Sequence, residues 1–511
     1  MNTAFLNCAA AACVLLTVTS ASAADVFEVM TVGGDARTVA AELIDVNGDG
    51  RTDLLEIAYH GLPPDERRLA RVYLQRDDGS LAAEPTFSHA IPPGAAAYDF
   101  ADVDTAPGTE LIILEERGLT VMQLGTPAGS VRQIRLEGAS TVGAASDERG
   151  LKRIRIAHGE FADEPWLLIP RFGETVAVAA DGRELAALEV GGRANYFVLT
   201  RPGPMFLESD IQLFYDVPRL SVGDVDGDGR VDVVASSRHQ VRVFLRKADG
   251  TYPRQADRVL QLGRVSEEDH VRGSGAVRSE ARDFDGDGRL DLIVSQLSGA
   301  LTDGRATTSL YVNRGGTWNL DEADSTFTAT SRWGGDELTD INGDGRLELV
   351  LVRVPLSVVE LVEALLTRKF DVEISVHLLE PDGGYASSPA AKLKLDIPFS
   401  FDIGRPPGFS ATTQHDLNAD GYGDLVAPGD GEHIEIFLGR ADTRYRKTDA
   451  RQDVDTNGRL RAGDLDGDGL TDLVIYDPYR PGSRLRILRN RGVLAGSPAR
   501  LESPDRDPRH D

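Results

Sequence analysis

The stretch DVDGDGRVD, residues 224–232, carries aspartates at positions 1, 3, 5 and 9 of a nine-residue segment. Side chains at alternate positions of a tight loop can turn toward one centre, where like charges repel unless a cation lies among them. Oxygens from these positions, with the backbone carbonyl of position 7, match the ligand set that calcium prefers. Magnesium demands a stricter octahedron, and a loop without His or Cys disfavours zinc and copper. The segment therefore predicts a calcium-binding loop.

Six copies of this pattern occur along the chain, and each predicts one structural calcium ion. The predicted ligands are Asp45, Asn47, Asp49, Arg51 and Asp53; Asp224, Asp226, Asp228, Arg230 and Asp232; Asp283, Asp285, Asp287, Arg289 and Asp291; Asp340, Asn342, Asp344, Arg346 and Glu348; Asp416, Asn418, Asp420, Tyr422 and Asp424; and Asp464, Asp466, Asp468, Leu470 and Asp472. The fourth residue of each set would act through its backbone carbonyl, and asparagine at position 3 is still an oxygen ligand. An EF-hand is excluded because it needs Glu at position 12, which occurs only as Glu56 in the first copy.

Two further copies of the loop are incomplete. The segment DVDTAPGTE, from residue 102, keeps Asp102, Asp104 and Glu110 but gains Pro107. This composition leaves metal binding at the loop open. The segment GEFADEPWLLIP, from residue 159, keeps the apolar run but not the spaced acids, and we expect no metal there.

The loops mark an internal repeat. They begin near residues 45, 102, 159, 224, 283, 340, 416 and 464, and each is followed by an apolar run and then a second run that ends in a turn. Each unit is predicted to contain four antiparallel strands, which cannot bury both faces alone and would stack as blades. We predict an all-β protein, a β-propeller of eight four-stranded antiparallel blades, with seven as the alternative. VFEVMTV, from residue 26, would complete the last blade and close the ring.

One unit is longer than the others. The segment PLSVVELVEALLTRKF, residues 355–370, has helical spacing of its apolar residues and a proline suited to a helix start. We expect a helical insertion here that packs as a surface helix over a blade. The alternative is a lid or a partner-docking element.

The two ends of the chain differ in composition from the repeats. Residues 1–23 combine an uncharged apolar run with the small-residue pattern Ala21-Ser22-Ala23, which predicts a secretory signal peptide. Cys13 within that run leaves a lipoprotein as a weaker alternative. Residues 24–496 form the predicted propeller domain, and residues 497–511 a disordered tail. We therefore expect a secreted or periplasmic, monomeric protein without a membrane span.

The composition narrows the possible partners. A formal net charge of −27 argues against nucleic acid, which needs a basic face. Both cysteines, Cys8 and Cys13, lie in the predicted signal peptide, so disulfides cannot stabilise the mature chain. Bound calcium would take their place as local cross-links.

Taken together, the loops and their flanks resemble the FG-GAP/VCBS repeat family, the calcium-bearing propeller repeats of integrin α-subunit heads and of secreted bacterial proteins. The resemblance rests on GDVDGDGRVDVVAS from residue 223, RDFDGDGRLDLIVS from residue 282 and GDLDGDGLTDLVIY from residue 463. The bacterial VCBS type is the closer likeness. The resemblance to this family implies a propeller over most of the mature chain, with calcium bound in the six loops.

No arrangement of catalytic residues is recognisable, and the nine histidines show no metal-ligand spacing. We expect a binding scaffold rather than an enzyme, with a protein or carbohydrate ligand on one face of the ring. The alternative is an extracellular polysaccharide-active, lyase-like enzyme, which would need a basic groove for an acidic sugar chain. Candidate groove residues are Arg254, Arg258, Arg264, Arg272, Arg278, Arg282 and Arg305. A pocket near the axis with converging Arg or His side chains would favour the enzyme.

A lectin is a third possibility. Lectin propellers often repeat an aromatic platform in every blade, whereas Trp166, Trp318 and Trp333 are out of register with the repeat. The sequence therefore gives this possibility less weight than the other two.

Overall fold

The computed structural model describes residues 25–495, apart from 62–64, 104–105, 128, 142–150, 155, 159–165, 203–206, 264, 267–268, 270–274, 300–303, 332, 356–357, 382, 399–407, 443–444 and 446–447. The predicted signal peptide and tail lie outside these residues. Over the described part, regular structure is almost entirely β, arranged as eight four-stranded antiparallel sheets in a ring. The predicted eight-bladed propeller is confirmed, and the seven-bladed alternative is wrong.

In blades 1 to 4 the strands follow one another outward from the ring axis. Blade 1 consists of β2 (Arg37–Ile44), β3 (Asp53–His60), β4 (Arg67–Tyr73) and β5 (Phe87–Ala90). Blade 2 consists of β6 (Ala97–Ala101), β7 (Glu110–Leu114), β8 (Gly118–Gln123) and β9 (Ser130–Arg135), with β10 (Lys152–Arg153) parallel to β6. Blade 3 consists of β11 (Ala157–His158), β12 (Trp166–Pro170), β13 (Thr175–Ala179) and β14 (Glu184–Leu188). Blade 4 consists of β17 (Arg219–Gly223), β18 (Asp232–Ser236), β19 (Gln240–Phe244) and β20 (Arg258–Gln261).

The remaining blades repeat this order. Blade 5 consists of β21 (Gly275–Arg282), β22 (Asp291–Ser298), β23 (Arg305–Tyr311) and β24 (Ser325–Thr330). Blade 6 consists of β25 (Trp333–Thr339), β26 (Glu348–Val354), β27 (Lys369–His377) and β28 (Ala391–Pro398). Blade 7 consists of β29 (Thr412–His415), β30 (Asp424–Pro428), β31 (His433–Phe437) and β32 (Ala450–Asp453). Blade 8 consists of β33 (Arg459–Gly463), β34 (Asp472–Tyr476), β35 (Leu485–Asn490) and β1 (Phe27–Val32).

The ring is closed by joining the two ends of the propeller. Strand β1 pairs antiparallel with β35, from Phe27 opposite Asn490 to Val32 opposite Leu485. The predicted closing strand is therefore confirmed. Blade 8 needs its fourth strand from the other end of the domain, so separating the ends would expose both the strand edge and its apolar residues.

The hydrophobic core lies between the blades. The described residues form eight principal clusters of buried side chains, and each cluster joins one blade to the next, including blade 8 to blade 1. The apolar run after each loop forms the second strand of its blade; β18, for example, is buried over its whole length. These strands read as continuous apolar runs because both of their faces are covered by neighbouring blades.

Each loop between the first and second strands of a blade lies at the same end of the ring, which we call the loop face. A parallel bridge between Asp224 and Arg289 shows that loops of neighbouring blades lie side by side in the same direction. The connections between blades, and between second and third strands, therefore lie at the opposite end, which we call the far face.

The predicted helical insertion is confirmed as α1 (Val358–Thr367), between β26 and β27 on the far face. Ala364 and Phe370 are buried beside Val354, which attaches the helix to blade 6. Val359 and Leu366 are 74% and 81% exposed, so part of the apolar surface of the helix faces solvent.

One element was not predicted. Strands β15 (Arg193–Pro202) and β16 (Leu207–Asp216) pair with each other as a separate two-stranded sheet between blades 3 and 4. A signal for it exists in the sequence, because the turn-forming residues RPGP at 201–204 separate two segments of mixed apolar and polar residues.

Candidate metal centres and the central channel

The first aspartate of each complete loop organises the turn. In blade 4, Asp224 Oδ1 accepts a hydrogen bond from Gly227 N–H (2.7 Å) and Oδ2 accepts one from Gly229 N–H (2.8 Å). Both glycines have positive φ, 81° and 77°, which a side chain would disfavour. Four of the other complete loops repeat both bonds, and in the loop from Asp416 only the bond to position 6 is kept in this form. Backbone N–H groups thus partly offset the repulsion among the carboxylates.

The last acid of each loop is buried and joins the loop to the blade. Asp232 is fully buried; its Oδ2 accepts from Val225 N–H (2.9 Å) and its Oδ1 from Arg246 N–H (2.8 Å), on the connection after the third strand. The same pair of bonds is made by four other loops, through Asp53, Asp291, Asp424 and Asp472. Glu348 makes the first of these bonds, to Ile341 N–H.

Three loops bring their acids to a common centre. Ligand oxygens within each group all lie within 4.8 Å of one another, and the groups are Asp224, Asp226 and Asp232; Asp283, Asp285 and Asp291; and Asp464, Asp466 and Asp472. These three groups can hold a metal ion, and a set made only of carboxylate oxygens suits a hard divalent cation. The loops from Asp45, Asp340 and Asp416 carry asparagine at position 3 and so offer an amide oxygen in place of one carboxylate.

The acid at position 5 does not belong to these groups. Asp228 forms an ion pair with Arg230 two residues later, and Asp287 pairs in the same way with Arg289 (3.1 Å). In the first loop, Asp49 pairs with Arg51 (2.5 Å). The side chain at position 7 therefore neutralises position 5 in these loops, a contact that the sequence analysis did not anticipate.

Burial changes the ionisation of the last acid. Loss of water on burial, together with the neighbouring loop carboxylates, raises the pKa of Asp291, Asp424 and Asp472 to about 7. The same causes raise the pKa of Glu348 to about 7 and that of Asp53 to about 6, although backbone N–H donors oppose them. A divalent cation at the centre would favour the ionised carboxylates and so reverse this shift.

The incomplete loop in blade 2 keeps the structural contact without the acid group. Glu110 is buried and accepts a hydrogen bond from Val103 N–H (2.9 Å), as position 9 does in the complete loops. Asp102 is exposed, and no metal-holding group is found among the described residues of this loop. The incomplete copy from residue 159 lies outside the described residues until β12 begins.

Charged side chains of the innermost strands meet in the central channel. On one side, Glu42 of β2 accepts hydrogen bonds from Tyr98 (3.1 Å), Arg153 (2.8 Å) and Arg461 (3.3 Å), which come from blades 2 and 8. Arg153 also pairs with Asp99 (3.3 Å). These contacts link the neighbouring blades 8, 1 and 2 at the inner side of the ring.

On the other side the channel widens into a cavity of about 1040 Å³, lined by strands from blades 5 to 8. Its charged and polar lining includes Arg278, Arg282, Glu337, His415, Arg459 and Arg461. Arg278 and Arg282 were among the candidate groove residues. Arg254 instead pairs with Glu174 and Glu189 outside this cavity, and Arg264 and Arg272 lie outside the described residues.

The tryptophans do not form a repeated platform. Trp166 and Trp318 are buried, 7% and 3% exposed; the first packs edge-on against Tyr252, and the second donates its indole N–H to the Leu290 carbonyl. The side chain of Trp333 lies outside the described residues. Burial of two of the three rings removes them as sugar-binding surfaces.

Comparisons with known proteins agree with the repeat. The model of the FG-GAP-like repeat matches residues 224–294 and 283–351, so this part of the chain consists of FG-GAP-like repeats, and the predicted resemblance to the FG-GAP repeat family is confirmed there. No curated protein matches the chain. In the residues that the structure describes, no helix is long and apolar enough to cross a membrane.

Several solved structures share a distant likeness over most of the chain. The V. cholerae biofilm matrix protein Bap1 is 12% identical with a TM-score of 0.41, covering 91% of this chain and 89% of that one. The Dos1 propeller is 9% identical with a TM-score of 0.44, covering 91% and 95%. An Agrocybe aegerita lectin that recognises non-reducing terminal N-acetylglucosamine is 14% identical with a TM-score of 0.36, covering 90% and 87%.

Proposed function

We propose that this protein is a secreted or periplasmic calcium-binding β-propeller that serves as a scaffold for a protein or glycan ligand. The observation that carries the proposal is the convergence of three acidic residues in each of three loops, Asp224, Asp226 and Asp232 among them. The three loops with asparagine at position 3 share the same backbone frame and complete a set of about six sites. Calcium in these sites is structural, because each loop spans the first two strands of a blade at the loop face.

In each proposed site, the side-chain oxygens of positions 1, 3 and 9 hold the ion; position 3 supplies a carboxylate in three loops and an asparagine amide oxygen in the other three. The oxygen of position 5 and the backbone carbonyl of position 7 complete the shell; in the loops from Asp45, Asp224 and Asp283 this requires the arginine at position 7 to release the carboxylate of position 5. Bound calcium supplies positive charge where the loop concentrates negative charge, and its binding energy adds to the stability of the folded state. Sites of extracellular type have calcium dissociation constants on the order of 0.1–1 mM.

Metal content and melting temperature test this proposal directly. Mature protein equilibrated with millimolar calcium should retain about six ions per chain at saturation, and its melting temperature should fall by several degrees when EDTA is added. Adding calcium back should restore the original melting temperature, whereas magnesium should raise the melting temperature less. An identical melt in EDTA and in calcium would rule out structural calcium.

The ligand is proposed to bind on the far face. This face carries α1, the β15–β16 hairpin and the connections between blades, and binding residues concentrate on such segments when rigid strands hold them. The loop face is occupied by the metal loops. Grafting short blade connections in place of α1 should therefore alter ligand binding without changing calcium content.

A lyase-like enzyme acting on an acidic polysaccharide is the second candidate. The observation that favours it is the cavity near the axis, whose lining includes Arg278, Arg459 and His415. Incubation with polyuronates and measurement of the ultraviolet absorbance of unsaturated products would test it. Absence of product over long incubation with calcium-loaded protein would leave the scaffold as the function.

A further inference from the structure

The channel cavity holds more positive charge than its own carboxylates neutralise. Glu280 accepts hydrogen bonds from both Arg219 and Arg278, each at 3.1 Å, so two guanidinium groups share one carboxylate. Asp336 is paired with Arg353 at 2.8 Å and is thereby neutralised. Glu280 and Asp336 are therefore already committed to arginines.

Two further arginines of the lining lack a carboxylate partner among the described residues. Arg282 donates to the Leu338 carbonyl (3.0 Å), and Arg459 interacts with the hydroxyl of Tyr479. Arg461 is already engaged with Glu42. The formal net charge of the chain is −27, so the overall composition does not account for a surplus of guanidinium groups in this cavity.

The cavity also contains a buried acceptor. Glu337 lies in the lining, and its Oε1 is buried without a hydrogen-bond partner among the described residues. Burial raises the pKa of this carboxyl, whereas hydrogen bonds to it from Gln414, Thr413 and Thr412 on the neighbouring strand lower the pKa; these bonds leave Oε1 without a donor among the described residues. A buried acceptor of this kind is costly unless a donor reaches it.

We propose that this cavity binds an acidic sugar chain, with uronate carboxylates on Arg459 and Arg282 and a sugar hydroxyl donating to Glu337. Guanidinium groups match carboxylates in planar two-point contacts. A uronate carries both groups, a carboxylate for the arginines and hydroxyls that can donate to Glu337. Tyr479, which is 59% exposed at the rim, offers an aromatic face against which a sugar ring can pack.

The size of the cavity is consistent with an oligosaccharide. At about 1040 Å³ it lies at the upper end of the range of ligand pockets. The proposal rests on the proposed ligand-binding function and adds to it the class of ligand and the place where that ligand binds.

The test is calorimetric titration of the protein in buffer that holds enough calcium to keep the sites occupied. The same buffer dissolves the sugars, and a titration without protein corrects for calcium bound by the sugars themselves. The probes are tetragalacturonate, a glucuronate-containing tetrasaccharide and neutral maltotetraose. At least one acidic tetrasaccharide should bind, and maltotetraose should bind at least about ten-fold more weakly. Affinity should fall as sodium chloride is added, because the contact is charged.

Variants locate the site. Arg459→Gln should weaken binding of the acidic probe about ten-fold, and Arg459→Lys, which keeps the charge, should recover part of the loss. The matched control is Arg183→Gln, since Arg183 lies in the turn between β13 and β14 and its side chain is 57% exposed. This control should bind like the unchanged protein.

Three results would overturn the proposal: equal binding of neutral and acidic probes, no binding of any uronate, or equal effects of Arg459→Gln and Arg183→Gln. Tight binding of a decamer of glutamate instead of the sugars would assign the cavity to an acidic peptide. Melting in calcium and in EDTA is recorded on the same samples. A normal calcium response with no sugar binding would reject this inference alone and leave the calcium-binding propeller intact.

Discussion

Blades 4 and 2 differ at the loop between their first two strands. In blade 4, Asp232 is buried and accepts a hydrogen bond from Val225 N–H, and Asp224 and Asp226 converge with it. In blade 2, Glu110 is equally buried and accepts the equivalent bond from Val103 N–H, while Asp102 is exposed. The final contact is common to both loops, and among the described residues, which leave out Asp104 of blade 2, the three-acid group is found only in the first.

This difference shows that the acids of the loop have two separate roles. The last acid satisfies backbone N–H groups and holds the loop to its blade, whether or not a metal can bind. The acids at positions 1 and 3 add the metal centre. Blade 2 nevertheless packs against blade 3 through a full cluster of buried side chains, Ile112 and Leu114 among them. Burial between blades thus holds the ring even at a loop whose described residues form no three-acid group.

The largest expected effect comes from removing every cation and then varying pH. Burial raises the pKa of Asp291, Asp424 and Asp472 to about 7, whereas unfolded carboxyls titrate near 4. Between these values the metal-free native state binds more protons than the unfolded state, so its free energy of unfolding falls as pH rises. In EDTA the melting temperature should be higher at about pH 5.5 than at about pH 7.5.

With calcium, the melting temperature should instead be higher at about pH 7.5 than at about pH 5.5, because the ion binds the ionised carboxylates. Melting curves at both pH values, with calcium and with EDTA, check this prediction. Parallel pH profiles in the two conditions would contradict it.

The second effect concerns the last acid of the loop. Asp232→Ala would leave the buried N–H groups of Val225 and Arg246 without an acceptor, and should lower the free energy of unfolding by about 2–4 kcal/mol even in EDTA. Glu110→Ala, the matched change in blade 2, should also lower the free energy of unfolding, and this decrease should be the same in calcium and in EDTA. Chemical denaturation in EDTA and in calcium measures both. If Asp232→Ala had no effect in EDTA, the structural role of position 9 would be wrong.

The third effect isolates the metal. Asp226→Ala should change stability little in EDTA, since among the described residues Asp226 accepts one long hydrogen bond, from Asp228 N–H (3.3 Å). At a calcium concentration about 100 times the dissociation constant, the free energy of unfolding of this variant should be about 2.7 kcal/mol lower than that of the unchanged protein. The variant should also bind one calcium ion fewer per chain. Asp102→Ala, at an exposed position of blade 2, should change neither the free energy of unfolding nor the number of bound calcium ions. Equal responses of the two variants to calcium would remove the distinction between the loops.

The smallest effect concerns backbone strain. Ala419 has φ of +54° at position 4 of its loop, where the other complete loops carry glycine. Ala419→Gly should stabilise the protein by up to about 1 kcal/mol, because alanine pays a steric cost in this region. Gly467→Ala places alanine at the same position of the last loop, where its Cβ would meet no atom within 4 Å, and should destabilise by a similar amount. Thermal melts in EDTA compare the pair, and effects of the same sign would contradict the strain argument.

Local patterns in the chain were sufficient for most of the architecture. The spacing of the loops predicted eight blades, the leftover strand near residue 26 predicted ring closure, and the apolar spacing from Val358 predicted α1. The β15–β16 hairpin was missed because its strands lie in a long connection where no repeat sets the expected register. The pairing of Asp228 with Arg230 was missed because spacing alone does not say which way a side chain turns.

The sequence by itself determined the repeat, the loop frame and the acids within it. Each loop depends on residues fewer than ten positions apart, and the repeat follows from the recurrence of that local pattern along the chain. Only the tertiary structure decided which charges face each other in the channel. Glu42 and Arg461 lie 419 residues apart in the chain and meet because eight blades close into one ring. The number and packing of the blades set the width of that ring, so the cavity and its unpaired arginines exist only in the folded molecule.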